Sequence, residues 1–218
     1  MITLENVSKN FVKGGRIVKA LNNVSIEVPR GKLAVLRGPS GSGKTTLINV
    51  AAGLSRPTLG RITVAGQRMS GLSAGNRAAM RARHIAVVFQ MFHLVPYLSA
   101  LENILLPTLA LPNPKGLKRA NELMHALGIE HRAAHFPSEL SAGERQRCAL
   151  ARALFNNPDV ILADEPTGNL DDESAEQVFK MLNACRNEGA AVLLVSHQPV
   201  TRLKADFEFR LVEGVLQS

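Results

Sequence analysis

Apolar and polar residues alternate over residues 2–8, and Leu21, Val24, Ile26 and Val28 mark a second patterned run over 17–28. A period of two puts one face of a strand in a core and the other in solvent, so both runs predict strands. Pro29-Arg30-Gly31-Lys32 turns the chain into Leu33-Ala34-Val35-Leu36, an unbroken apolar run of the kind buried on both faces. Helical spacing follows over 46–52. A turn over 55–60 precedes a short strand at 61–64, a helix over 75–83 and a strand over 85–89.

From about residue 91 to 157 the pattern changes. Strand-like runs vanish, helical spacing covers 115–127 and 144–155, and Pro96, Pro107, Pro112, Pro114 and Pro137 punctuate the segment. This predicts a helical subdomain, 91–157, inserted into a core made of 1–90 and 158–218. Core character returns at Val160-Ile161-Leu162-Ala163, followed by a helix over 172–187 and a strand over 190–195. A hairpin over 208–217 turns at Glu213-Gly214. Strand–helix–strand alternation argues for an α/β fold with a mainly parallel sheet, and the opening strands add an antiparallel β subdomain.

Composition narrows the class without naming a partner. At 218 residues and 45% hydrophobic content, the chain is one domain or a domain with an inserted lobe. No apolar run approaches the roughly 20 residues of a membrane span. Met1-Ile2-Thr3-Leu4-Glu5 reads as strand rather than signal peptide. Cys148 and Cys185 lack metal spacing and predict inert thiols in a reducing cytosol. The net charge of +8 is scattered, with no block of five cations, and one Tyr with no Trp offers little for stacking single-stranded nucleic acid. Anionic headgroups suit that charge as well as DNA does.

The chemistry concentrates in Gly38-Pro39-Ser40-Gly41-Ser42-Gly43-Lys44-Thr45, which fits G-x-x-x-x-G-K-[ST] between a predicted strand and helix. Glycines turn successive N–H groups toward one anion, and the helix presents its positive end to phosphates. Lys44 would reach the β- and γ-phosphates, the Thr45 hydroxyl would ligate Mg²⁺, and Thr46 continues the cradle. A Gly/Ser-rich turn with a stray lysine leaves the flanking strand and helix unexplained. The second site sits after the buried run 160–163, at the carboxyl edge where ligands bind in such sheets. There Asp164 would hold Mg²⁺ and Glu165 would act as general base on water. Leu140-Ser141-Ala142-Gly143-Glu144 opens a predicted helix. Ser141 and Glu144 have capping-box spacing, and the same helix end is an anion site; spacing does not separate the two uses.

The phosphate loop, Gln90, the 140–144 stretch, Asp164-Glu165, Asn169-Leu170-Asp171 and Ser196-His197 occur in the order of ABC-type ATPases, which the chain resembles over essentially its whole length. Phe89-Gln90, Leu101-Glu102-Asn103, Gly143-Glu144-Arg145-Gln146-Arg147 and Pro166-Thr167-Gly168-Asn169-Leu170-Asp171 resemble the branch holding the lipoprotein-release, macrolide/peptide-export and cell-division ATPases. The resemblance implies a homodimer closed head to tail over two ATP molecules and Mg²⁺. Ser141 and Gly143, within the signature Leu140 to Glu144, would then contact the γ-phosphate held by Lys44 of the other copy. His197 would contact the γ-phosphate of its own copy, and Gln90 the Mg²⁺ or the attacking water. Phe11 would stack on adenine. Asn169, Leu170 and Asp171 would cross the dimer interface, although Asp171 also reads as the N-cap of the helix over 172–187.

The resemblance further implies a separate membrane permease, docked near residues 92–103, with the ATPase peripheral on the cytoplasmic face of the inner membrane. Its function would be ATP hydrolysis coupled to export or lipoprotein extraction, with no nucleic-acid partner. A soluble ABC ATPase acting on nucleic acid or ribosomes is the competing reading. A kinase or GTPase outside the family would leave the signature unexplained. Three positions depart from the family pattern. Ala142 stands where a second glycine is usual, Thr45 replaces a commoner serine, and Gln198 follows His197 where the branch often has an acid. A Cβ at 142 is harmless if φ there is negative.

Overall fold

The computed structural model describes residues 1–196 and 204–217, so His197 and Gln198 lie outside the described residues. Two sheets organise the chain. Strands β1 (Ile2–Lys13), β2 (Arg16–Val28), β4 (Leu59–Val64) and β5 (Gln67–Arg68) form an antiparallel sheet in the order β2-β1-β4-β5. Its inward face reads as the predicted alternation: Ile2, Leu4, Val24, Ile26, Val28, Ile62 and Val64 are all buried. The first hairpin runs well past residue 8, to a turn at Gly14-Gly15 with both φ positive. The alternation could not signal that extension, because Phe11, Val12, Ile17 and Val18 stay exposed while the backbone ladder continues.

The second sheet has the order β10-β9-β3-β8-β7-β6, built from β3 (Leu33–Arg37), β6 (Ile85–Val88), β7 (Val160–Asp164), β8 (Ala191–Val195), β9 (Phe207–Val212) and β10 (Val215–Gln217). Every neighbouring pair is parallel except β10 with β9. Its central strands are apolar up to Arg37 at the end of β3 and Asp164 at the end of β7, because both faces are covered. Ala34, Leu36, Leu162 and Leu193 face a core shared with α1 (Lys44–Ala51) and the antiparallel sheet. Val35, Ile161, Ala163 and Leu194 face a second core on the opposite side.

That second core is filled by helices. α3 (Ala100–Leu105), α4 (Gly116–Ala126) and α5 (Ala142–Leu154) supply Ile104, Leu123, Met124, Leu150 and Leu154, and α6 (Asp172–Asn187) adds Val178 and Leu182. α2 (Ala74–His84), capped by Ser73, leads into β6. α3 was not legible as a periodic run, since six residues give too little period to read. Its start is instead marked by a capping box, in which Ser99 N–H donates to Glu102 Oε2 at 2.7 Å and Glu102 N–H donates to Ser99 Oγ at 3.3 Å. Both cysteines are free thiols; burial pushes Cys148 up to about 12 and Cys185 up to about 11, which leaves them unreactive at neutral pH.

Candidate functional site

The phosphate loop joins the carboxyl end of β3 to the amino end of α1. Gly38, Gly41 and Gly43 have φ of 153°, 76° and 105°, backbone that a side chain at 41 or 43 would strain. Space matters as much as torsion. A Cβ on Gly38 would run into the Leu211 carbonyl of β9, and one on Gly43 into the Ala20 carbonyl of β2. The loop is therefore wedged between the first sheet and the last hairpin. Gly214 N–H donates to the Ser42 carbonyl at 2.9 Å, and Asn22 N–H donates to the Gly214 carbonyl at 2.8 Å. Lys44 Nζ donates to the carbonyls of Gly38 and Pro39 at 2.8 and 2.9 Å, which curls the loop around the ammonium group. Ser42 Oγ is buried with no hydrogen-bond partner among the described residues. α1 has no side-chain cap and no acid in its first turn, so its N–H groups are left to an anion.

A cavity of about 550 Å³ opens over this loop. It gathers Ser40, Gly41, Gly43, Lys44, Thr45 and Thr46 with Gln90 from the end of β6 and Glu165 from the end of β7. Gly38 and Pro39 do not line it; they enter through their carbonyls, which accept from Lys44. Asp164 ends β7 almost fully buried and is hydrogen-bonded to Thr45. Burial raises its carboxyl above the usual range and Glu165 adds to the rise, while the Thr45 bond and Lys44 pull the other way. A desolvated carboxylate beside a hydroxyl, next to a phosphate cradle, suits a hard divalent cation with oxygen ligands. Glu165 has φ of 47°, a left-handed turn that swings its carboxyl back into the cavity while its N–H still bonds the Val195 carbonyl at 3.0 Å. A Cβ on Gly168 would lie 3.3 Å from Gln90 Nε2 and 3.7 Å from Glu165 Oε2, so the loop after β7 brings those two side chains together.

Sequence reasoning missed one wall. Val18, Lys19 and Ala20 of β2 and the turn residues Glu213 and Gly214 also line the cavity. The Glu213-Gly214 turn was readable, but no spacing says that it folds over Ala20. Phe11 is exposed and pairs across the ladder with Val18, which lines the cavity, but Phe11 itself does not line it. Lys9 Nζ sits 4.8 Å from its ring centroid.

The signature residues are elsewhere. None of Leu140, Ser141, Ala142, Gly143 and Glu144 lines the phosphate cavity. Ser141 is the N-cap of α5 and exposed, with its Oγ accepting from Glu144 N–H at 3.2 Å and its own N–H donating to Glu144 Oε2 at 2.8 Å. Capping and surface presentation thus coexist in one residue. Burial acts to raise the Glu144 carboxyl, but the Ser141 N–H and the Arg132 guanidinium outweigh it and bring it down to about 2. Ala142 lies inside the helix with φ negative, so the extra Cβ costs no backbone strain. Gly143 is required for packing: a Cβ there would strike Ser174 Oγ in the first turn of α6. Asp171 caps α6, accepting from Ser174 N–H at 2.9 Å, and Arg147 of α5 donates to Ser174 Oγ at 3.2 Å. Asn169, Leu170 and Asp171 therefore stand beside the signature, on the same protomer, with Asn169 and Asp171 exposed.

The segment after Gln90 is fastened from within. Buried Asn103 donates to the carbonyls of Val95, Leu98 and Ser99 at 2.9–3.1 Å and accepts from Val95 N–H at 2.8 Å. Arg152, in the last turn of α5, donates to the carbonyls of Phe92 and His93 at 3.0 and 2.9 Å. The role of Arg152 had no sequence signal, because a basic residue near a helix C-terminus is common for dipole reasons alone.

The ABC transporter family model matches residues 21–168. The chain belongs to the ABC transporter family. It is 38% identical to the lipoprotein-releasing system ATP-binding protein LolD of Francisella tularensis strain FSC 198, covering 100% of this chain and 96% of that protein. Against LolD of Novosphingobium aromaticivorans the identity is 41%, covering 100% and 98%. Among solved structures, it is similar to the dimeric post-hydrolysis state of the ATP-binding cassette MJ0796 bound to ADP and Pi. The TM-score is 0.92 at 35% identity, over 100% of this chain and 97% of that one. A second dimeric MJ0796 structure, described as a bacterial ABC transporter cassette, gives 0.92 at 36%. The chain is thus an ATP-binding subunit of an ABC transporter and an ATPase, with the expected cassette fold. The kinase and GTPase readings fall away. Among the described residues, no helix is long and apolar enough to cross a membrane.

Proposed function

We propose that this ABC subunit closes as a head-to-tail homodimer on two Mg-ATP molecules and so drives a separate permease that extracts lipid-anchored cargo from a membrane. The observation that carries the reading is the division of labour within one chain. Lys44, Thr45 and Glu165 line one cavity, with Asp164 buried beside Thr45, while Ser141 at the signature helix end is exposed and lines no part of it. A second copy related head to tail would supply the missing side of each cavity. The lipoprotein-releasing relatives, matched over the full chain, support the cargo class.

Hydrolysis follows from the residues in place. The β- and γ-phosphates would sit on the loop N–H groups and Lys44, with the adenine toward Phe11, the ladder partner of the cavity residue Val18. Thr45, Asp164 and Gln90 would hold Mg²⁺, which would supply positive charge to offset that of the phosphates. Glu165 accepts a proton from water as the water oxygen attacks the γ-phosphorus. The bond to the bridging oxygen then breaks, giving ADP and Pi. Ser141 and Gly143 of the second copy, with His197 of the first, would complete the shell around the γ-phosphate. Because γ-phosphate is bonded from both sides only when the dimer is closed, its loss removes the differential contact that favours closure. The permease would feel that cycle at residues 92–103, the segment clamped by Asn103 and Arg152, with the subunit peripheral at the cytoplasmic face of the inner membrane.

A pull-down of the tagged chain from gently solubilised native membranes tests this reading. An integral membrane protein with a few spanning helices and a large extracytoplasmic domain should co-purify. Recovery of ribosomes or nucleic acid with no integral membrane partner would contradict it and favour the soluble alternative.

A further inference from the structure

We propose that Arg132 is a positioning residue for the trans phosphate contact, fixing Ser141 through Glu144 and tying that helix end to the face where the permease docks. The inference rests on the head-to-tail reading above. It begins with Glu144, whose two carboxylate oxygens have separate tasks. Oε2 accepts from Ser141 N–H at 2.8 Å, closing the capping box, and Oε1 accepts from Arg132 Nε at 2.7 Å. A carboxylate held through one oxygen can still rotate. Held through both, it is fixed in its plane, and the serine bonded to it inherits that order. Arg132 is itself braced, with Nη1 lying 3.3 Å from His135 Nε2, and His131 Nε2 stands 3.7 Å from Glu144 Oε1.

Charge gives Arg132 a second task. Glu144 sits in the first turn of a helix whose exposed Ser141 would meet the triphosphate of the other copy. An unpaired carboxylate there would repel that anion, and Arg132 offsets it at hydrogen-bond distance.

The same turn also reaches the other side of the helical subdomain. Ala133 and His135 present their carbonyls to the first N–H groups of α3: Leu101 N–H donates to Ala133 at 3.0 Å and Ala100 N–H to His135 at 2.8 Å. Those N–H groups are orphans of a helix start, and the helix pins residues 95–99 through Asn103. Arg132 therefore lies one residue from the backbone that anchors α3 and one carboxylate from Ser141. A shift of α3 under a permease moves the turn, and the turn moves the signature.

The experiment compares R132A and R132K in the full chain, alone and combined with Glu165→Gln or Glu144→Gln. R132A should keep the monomer's affinity for a fluorescent ATP analogue within about twofold, since Lys44 and its loop are untouched. It should weaken ATP-driven dimerisation of the E165Q protein about tenfold and lower kcat similarly with KM little changed. R132K keeps the charge without the planar fork and should recover part of both losses. Adding E144Q to R132A should cost no more than R132A alone, the non-additivity expected if Arg132 acts through Glu144. Should R132A fail to fold by circular dichroism, R132K and E144Q carry the same cycle. Wild-type dimerisation and kcat in R132A, or fully additive losses with E144Q, would overturn the inference while leaving the dimer reading intact. If E165Q itself stays monomeric with ATP, the head-to-tail reading fails first and takes this inference with it.

Discussion

The phosphate loop and the signature use the same device, a helix N-terminus, and finish it in opposite ways. α1 begins at Gly43 with no side-chain cap and no acid in its first turn. α5 begins at Ser141 with a complete capping box and Glu144 in its first turn. The first end leaves its N–H groups to a ligand and lies in a cavity walled by two other parts of the chain. The second has its own side chains on those groups and stands at the surface. An uncapped end beside a lysine binds phosphate on its own. A capped end offers a preorganised but weaker contact, useful only when something brings a phosphate to it. On the proposed reading, one chain carries a site that works by binding and a surface that works by closure.

The sharpest way to separate the two is to remove chemistry without removing either helix end. Glu165→Gln keeps the volume and the turn at φ 47° but loses the base, so kcat should fall by about 10²–10⁴-fold while ATP binding persists. Phosphate release in single turnover checks this, and loss of nucleotide binding instead would assign Glu165 a binding role. Lys44→Ala attacks the binding end directly. It should lower kcat/KM by about 10²–10³-fold, with weakened affinity for a fluorescent ATP analogue. An unchanged affinity would mean that the loop N–H groups suffice without the ammonium group.

The closing end responds differently. Gly143→Val drives a side chain into Ser174 and should cost about 1–3 kcal/mol of stability, read as a lower thermal midpoint. Monomer ATP affinity should be nearly unchanged, since Gly143 does not line the cavity. The smallest effect is set by pH. Glu144 is held at about 2 in the folded chain against an ordinary 4.5, so the unfolded chain takes up its proton first as the solution is acidified. The stability Glu144 contributes is complete above about 4.5 and lost as pH falls toward 2. Glu144→Gln should therefore lower the thermal midpoint at pH 7, with the gap to wild type narrowing below pH 4.5 and closing toward pH 2. A midpoint gap that stays constant across that range would show that the ionised carboxylate contributes nothing.

How much of this could be read from the sequence follows the same division. β3, the phosphate loop and α1 were legible because each signal is local: an apolar run, glycines at fixed spacing, a lysine and a helical period. β7 ending in Asp164-Glu165 was legible for the same reason. The signature stretch was legible as residues, but one spacing serves a capping box and an anion site alike, and the fold shows the capping box formed with Ser141 exposed. Asp171 likewise turned out to cap α6. What the sequence could not convey were contacts between distant segments. Ala20 and Leu211 wedging the phosphate loop, Arg132 reaching Glu144, and Arg152 holding Phe92 and His93 follow from how the sheets and helices stack, not from any period along the chain. α3 escaped because it is short, and the extended β1–β2 tip because its outer residues are not buried.

The central claim is that each nucleotide site is completed by a second copy of the chain. Light scattering of the Glu165→Gln protein with and without Mg-ATP measures that directly. The account predicts a monomer without nucleotide and a species of twice the monomer mass with it, reverting when Lys44 is also replaced by alanine. A protein that stays monomeric with saturating Mg-ATP at high concentration would contradict it.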